Sequence, residues 1–402
     1  MDEHKLVEVD IYEASSKLSQ VGAGITIWHR SIEILKELGL YETLCSYQAR
    51  PDDEPSTSMQ PNLKSGKAFS FHRGEVQEAF LKHLPSDYRC HLSKRLVSYT
   101  EYDSYVELEF QDGSTSSCDI LIGADGIKSV VRKFLLLNRF PSNISSIDPV
   151  WSGSNVYRGL VPREVLAQKF PQHPTLTKPM IYCGKSKHIV TYPISQGRLV
   201  NIVACYSQPE HEGTPLEGPA VSDVSIEEVI SKYEDWEDEV TSLLKFIEKP
   251  SKWAIETVRP LKYYASSRVA LLGDAAHAMA PHLGSGAGQA IEESLIDAYI
   301  LATIISETAA SKLPITGISE IYNTVRQPVG NFVQDASRKE GLLYQFNAPG
   351  FEDIQEGDSS VPLSRLLEMA EAASKGWEWV WSTSPEPDRL KAKELVRSKQ
   401  GL

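Results

Sequence analysis

The sequence predicts an α/β fold: a doubly built α/β unit with a β-sheet unit interleaved into it and helices at the C-terminus. Three observations carry this. A strand, loop and helix open the chain, two further apolar strands end in acid–glycine turns that run into helices, and residues 151 to 206 read as β-rich. In the opening segment LVEVDIYEA, Leu6 is followed by Val7, Val9 and Ile11 at period two, which predicts a strand almost from the first residue. The Gly-rich turn around Gly22 and Gly24 precedes Ile32, Leu35 and Leu38 at helix spacing, closed by Gly39. Residues 50 to 67, rich in Pro, Asp and Ser, break the pattern, and FHRGEVQEAFLKHL restores helix periodicity. VELEF, the Asp112-Gly113 turn and CDILIGADG predict an antiparallel pair, then a helix from Ser129 to Leu137. HIVTYPIS and RLVNIVACY read as strands, Ser225 to Ile247 as helical, VALLGD as a buried strand, and Gly288 to Ser306 as a long helix. The last 70 residues read mainly as helix, with Trp377, Trp379 and Trp381 packing it.

The chain has 402 residues, 41 Lys+Arg against 54 Asp+Glu, and a net charge of −13, so a nucleic-acid partner is not expected. The longest apolar stretches, Ala298 to Ile305 and Val269 to Leu272, fall well short of the roughly 20 residues that span a bilayer, so no membrane span is expected. The first residues carry charge and no signal-peptide core, which makes a cytoplasmic protein the expectation. Five cysteines without C-x-x-C spacing read as scattered thiols; neither a disulfide framework nor a metal cluster is expected.

The strongest motif is SRVALLGDAAHAMAPHLGSGAGQAIEESLIDA. A buried strand ends in Gly273-Asp274, small residues follow, and glycines at 284, 286 and 288 precede a helix. Glycines let backbone N–H groups approach a ligand, and a helix N-terminus favours an anion or an electron-rich ring. Such a run also closes a tight loop that binds nothing. Two other segments add weight to the first reading. CDILIGADGIKSVVR places Asp125-Gly126 at the end of a second apolar strand, and Glu13 ends the first, where a nucleotide site puts a carboxylate for a ribose.

Together, in this order and spacing, these segments resemble the flavin-dependent aromatic hydroxylases over nearly the whole chain, most of all the fungal salicylate hydroxylase-like branch. The resemblance implies a Rossmann-like FAD-binding domain from residues 1–45, 72–150 and 262–330. It also implies a β-sheet substrate domain from 46–71 and 151–261, and a C-terminal helical segment, 331–402. The implied reaction is monooxygenation of a small aromatic substrate, a phenolic acid, with FAD as cofactor, NAD(P)H as co-substrate and O2. Carried onto this chain, Glu13 would bond the adenosine ribose and Arg73 the flavin side of FAD. Asp125 and Gly126 lie in the motif tied to FAD and NAD(P)H. Gly273 and Asp274 would meet the ribityl chain or pyrophosphate, and Pro281, Gly284, Gly286, Ala287 and Gly288 the isoalloxazine ring. One departure stands out: family members carry a G-x-G-x-x-G loop roughly 20 residues before the ribose-binding acid. Only twelve residues precede Glu13 and none is glycine, so the FAD-binding domain is expected to be N-terminally truncated.

The active pocket has fewer markers. Oxygen transfer to a ring calls for a dry site with a polar group to hold or deprotonate a phenol. Tyr192 in HIVTYPIS, Arg158 in VYRGL as a carboxylate partner, and His29 near the glycine turn are the candidates. Tyr192 also suits a core tyrosine and Arg158 a solvated arginine. His277 reads as a structural histidine beside the cofactor. A flavin oxidase or dehydrogenase on the same scaffold, and a non-catalytic remnant without FAD, are the alternative functions.

Overall fold

The computed structural model describes residues 7–18, 24–48, 69–85, 88–195, 197–283, 288–309, 313–358 and 360–401. The first part of the chain holds strands β1 (Asp10–Tyr12) and β2 (Gly24–Ile27), helices α1 (Ile32–Glu37) and α2 (Tyr41–Gln48), strand β3 (Phe69–His72) and helix α3 (Arg73–Lys82). β4 (Arg89–His91) pairs with β1 in parallel, and β2 pairs with β3 antiparallel. β1 is shorter than its apolar pattern predicts, because β4 supplies partners only for Asp10, Ile11 and Tyr12. Gly39 follows α1 with φ +70°, the left-handed stop that its position predicts.

Strands β5 (Leu96–Glu101), β6 (Val106–Phe110) and β7 (Thr115–Cys118) form an antiparallel sheet, with Asp112-Gly113 in the β6–β7 turn. Here the sequence expectation needs correction. The strand LIG, β8 (Leu121–Gly123), does not join VELEF; it leaves for another sheet. Its partner lies far ahead, in the wholly buried VAL segment, and parallel pairing needs a long crossover. Ser129 caps the next helix, α4 (Val130–Arg139), as the sequence predicts.

The middle of the chain is a six-stranded antiparallel sheet built from β9 (Val150–Pro162), β10 (Met180–Gly184), β11 (Lys187–Ile194), β12 (Leu199–Ser207), β13 (Val221–Asp223) and β14 (Ser251–Thr257). Its order is β10-β11-β12-β9-β14-β13. Helices α5 (Arg163–Lys169), α6 (Ile226–Ser231) and α7 (Asp238–Leu244) belong to this stretch. Successive strand residues face opposite sides. Tyr157, Val161, Ile189, Val200, Ile202 and Ala204 pack with Val229, Val240 and Leu244 in one core, so Arg158, His188, Tyr192, Asn201 and Cys205 lie on the other face.

β15 (Ala265–Ser266) and β16 (Val269–Leu271) return to β8, which pairs with β16 in parallel. The whole six-stranded sheet is therefore inserted between two neighbouring strands of another sheet. A short helix α8 (Asp274–His277) and long helices α9 (Gly288–Ala309), α10 (Ile315–Tyr344), α11 (Leu363–Ser382) and α12 (Glu386–Gln400) complete the chain. One apolar core joins β5, β6, β8 and β16 to α4, α9, α10 and α12. Among the described residues no helix is long and apolar enough to cross a membrane.

Candidate active site

Three acids end strands of the two parallel pairs. At the end of β1 the Glu13 Oε1 accepts the Ser15 N–H at 2.7 Å, leaving the half-buried carboxylate in a turn fixed by backbone bonds to His91 and Lys94. At the end of β8, Asp125 accepts from Ser129 Oγ at 2.5 Å and from the Val130 and Val131 N–H groups at 2.7 and 3.1 Å. Its carboxylate thus caps α4, a structural task that the motif alone does not reveal. Gly126 beside it has φ +77° with open space where a Cβ would stand.

At the end of β16, Gly273 adopts φ +55° and ψ −134°, and a Cβ there would lie 2.2 Å from Ser294 Oγ. Only glycine suits both the backbone and the space. Asp274 opens α8 with an exposed side chain. The buried Arg132 ties this turn to the β8 turn: Nη1 donates to the Ala275 carbonyl at 3.0 Å, Nε to Ile147 at 3.0 Å, and Nη2 to Ile127. Burial lowers its pKa to about 10.

Behind Gly273 lies a buried charge network. Asp297 on α9 accepts the Gly273 N–H at 3.0 Å and pairs with His277 Nε2 at 2.7 Å and Arg326 Nε at 2.8 Å. Arg326 also reaches Glu293 at 2.6 Å and Asp388 at 2.9 Å, and Glu293 pairs with Arg30 at 2.8 Å. Burial alone would raise the Asp297 and Glu293 carboxyls, yet the cations against each hold both below their usual range. Burial would lower His277 as well, but Asp297 raises it. Burial pushes the neighbouring Glu292 up to about 7. His277 is structural, as expected. Asp297, Glu293 and Arg326 escape the sequence reading, although acids at i and i+4 on an apolar helix were the available signal.

The other candidate residues lie on the polar face of the six-stranded sheet. Tyr192 (2% exposed) stands opposite Asn201, whose buried amide has no hydrogen-bond partner. Arg158 shares this face, its guanidinium 5.1 Å from the Trp253 ring centre. His188 stands opposite Cys205, and His282, next to half-buried Pro281, meets His188 edge to face at 5.3 Å. Burial lowers His282 to about 4 and His188 well below its ordinary value, which favours the neutral form of both imidazoles. His188, Asn201, Cys205 and His282 were not legible in advance, because their proximity comes from strand register and a distant loop.

The remaining expected residues are less informative. His29 lies in a single 3-10 turn and Arg73 opens α3, but both side chains lie outside the described residues. Gly284, Gly286 and Ala287 also lie outside them, and Gly288 is the first residue of α9. Of the tryptophans on α11, Trp377 packs on Trp28 and donates to Tyr344 Oη at 2.7 Å, and Trp379 lies under Arg30, so they pack α11 as expected.

Residues 7–337 match the family model described as FAD binding domain. The chain is 30% identical to salicylate hydroxylase from Pseudomonas putida, over 98% of this chain and 91% of that one. The chain belongs to the FAD-dependent aromatic hydroxylase family. This family member is also 29% identical to 6-methylsalicylate 1-monooxygenase from Aspergillus terreus, over 98% and 87% of the two chains. Its fold superposes on a salicylate hydroxylase substrate complex with a TM-score of 0.76 at 28% identity, covering 96% and 97% of the chains. It is an FAD-dependent monooxygenase, and its cofactor is FAD. The residues of this chain fit that group at the Gly273-Asp274 turn, which ends a parallel strand and presents the exposed Asp274.

Proposed function

We propose that this chain hydroxylates a small phenolic acid with NAD(P)H and O2, in the cytoplasm. The observation that carries this reading is the set of buried polar groups on one sheet face, Tyr192, Asn201 and His188, with the buried His282, next to Pro281, packed against His188 from the loop after α8. The proposed division is an FAD-binding domain from residues 1–45, 72–150 and 262–330, a substrate domain from 46–71 and 151–261, and a helical segment from 331–402.

In this reading Glu13, Arg73, Gly126, Gly273, Asp274 and Pro281, with the glycine run from 284 to 288, hold FAD. Asp125 serves the same site by fixing the start of α4. Bound FAD supplies two-electron reduction by NAD(P)H and activation of O2. The protein's part is orientation and dryness. Arg158 pairs with the substrate carboxylate, and Tyr192 holds the phenol oxygen. The unpartnered His282 Nδ1 accepts a hydrogen bond from the phenol hydroxyl and orients it. Burial of this face excludes water from the ring.

The test is a panel of phenolic acids, salicylate included, turned over with FAD, NADH or NADPH under oxygen-18 gas. Mass spectrometry should find one heavy oxygen atom in the ring of a product, with faster NAD(P)H oxidation when that acid is present. Stoichiometric peroxide and no labelled product across the panel would support the oxidase reading instead.

A further inference from the structure

Three potential ligand atoms from His188, Cys205 and His282, all buried, lie within 4.8 Å of one another. We propose that they form a transition-metal site of the two-imidazole, one-thiolate class, suited to Zn2+. The inference rests on this geometry; an ion here would take the His282 nitrogen that the proposed function gives to the phenol, so ion and phenol would exclude one another.

The fold builds the cluster from three places. β11 and β12 bring His188 opposite Cys205 in antiparallel register, and the loop after α8 delivers His282. One stripe of α10 then fixes both imidazoles. Ser337 Oγ accepts the backbone N–H groups of His282 and Leu283 at 3.2 and 3.3 Å. One turn on, Gly341 leaves room for the His282 ring, since a Cβ there would lie 2.2 Å from its Cδ2. One turn further, Gln345, the C-cap of α10, places its amide Nε2 3.1 Å from His188 Nδ1. Residues at i, i+4 and i+8 share a helix face. A side-chain amide on the second ring nitrogen is the outer contact that orients a ligating histidine; turned over about its last torsion, the Gln345 amide would place its carbonyl on Nδ1–H and leave Nε2 for the metal.

The donors also fit. Imidazole with thiolate suits Zn2+ and Cu2+ and disfavours Mg2+ and Ca2+, which take oxygen ligands. Bonds of about 2.0–2.3 Å to one ion require donors roughly 3.5 Å apart, so small side-chain rotations close the set. His282 Nδ1 has no hydrogen-bond partner, which marks an unfilled polar position in a buried site. The Cys205 thiol gives its proton to buffer as the sulfur–metal bond forms, and water or a small anion takes the fourth position. An ion here would latch β11 and β12 to the loop before α9.

The experiment adds Zn2+ alone, or Co2+ alone, to the full chain as purified. One Zn2+ per chain by elemental analysis and a raised Tm are expected. Co2+ should give a thiolate-to-metal band in the near ultraviolet and four-coordinate bands in the red, beyond flavin absorption. Cys205→Ala should abolish the thiolate band, and Cys205→Ala or His282→Gln should weaken binding more than about 100-fold; Gln345→Ala should weaken it about 10- to 100-fold. Absence of the thiolate band in the parent chain overturns the proposal whatever the variants do. So does equal affinity in Cys205→Ala and the parent, which would assign the ion to exposed imidazoles such as His83 and His211.

Discussion

The Asp297 carboxylate on α9 holds the backbone N–H of Gly273 at 3.0 Å. A glycine near the start of the strongest sequence motif is thus pinned by an acid near the end of the same motif, 24 residues on, and the same carboxylate oxygen meets His277. The strand-end turn is held from behind by ionic groups, so its shape depends on their pairing.

Gly273→Ala should destabilise the chain by about 1–3 kcal/mol from backbone strain, with a further steric cost against Ser294. Adding Ser294→Ala should recover the steric part and leave the strain. Urea unfolding of both variants checks this. Full recovery in the double variant would mean the backbone conformation costs nothing.

Asp297→Asn should cost about 3–5 kcal/mol, because it breaks a fully buried pair with Arg326 and His277. The flavin content of the purified chain should fall as the Gly273 turn loosens. Asp388→Asn removes a partly exposed partner of the same arginine and should cost about 1 kcal/mol or less. Thermal unfolding and flavin absorbance, measured together, test the contrast; equal losses in the two variants would refute it.

Glu340 on α10 predicts a pH effect. Burial pushes its carboxyl up to about 8 from an ordinary value of 4.5, while Tyr344 and Trp377 oppose the shift. Between those values the folded chain keeps a proton that the unfolded chain has released. Stability therefore falls as pH rises, by about 1.4 kcal/mol per unit from this group. Glu340→Gln, neutral throughout, should flatten that slope. Urea midpoints of both proteins from about pH 5 to about pH 8 decide it, and parallel slopes would count against the assignment.

Tyr192→Phe and Arg158→Ala should each raise the share of NAD(P)H lost to hydrogen peroxide and lower product yield, as a poorly held ring leaves O2 reduction unproductive. Their melting temperatures separate this from damage to the sheet. Unchanged peroxide yield in a stable variant would remove that residue from the substrate face.

Read locally, the sequence determined most of the elements: the Gly39 stop, the Ser129 cap, the strand VAL followed by Gly273-Asp274, and the long helix after Gly288. Each is written in periodicity and capping over a few neighbouring residues, and the same short motifs carried the family. Tertiary structure decided what those residues face. LIG pairs with VAL across the inserted sheet, a choice made by distant buried partners that the local pattern cannot express. Asp125 reads as a cofactor acid in its motif, yet its oxygens meet the N–H groups of α4. His188, Cys205 and His282 are separated in sequence by 17 and 77 residues and become neighbours through strand register and the α10 stripe. Periodicity encodes which side of an element is apolar; which element covers that side depends on contacts between remote parts of the chain.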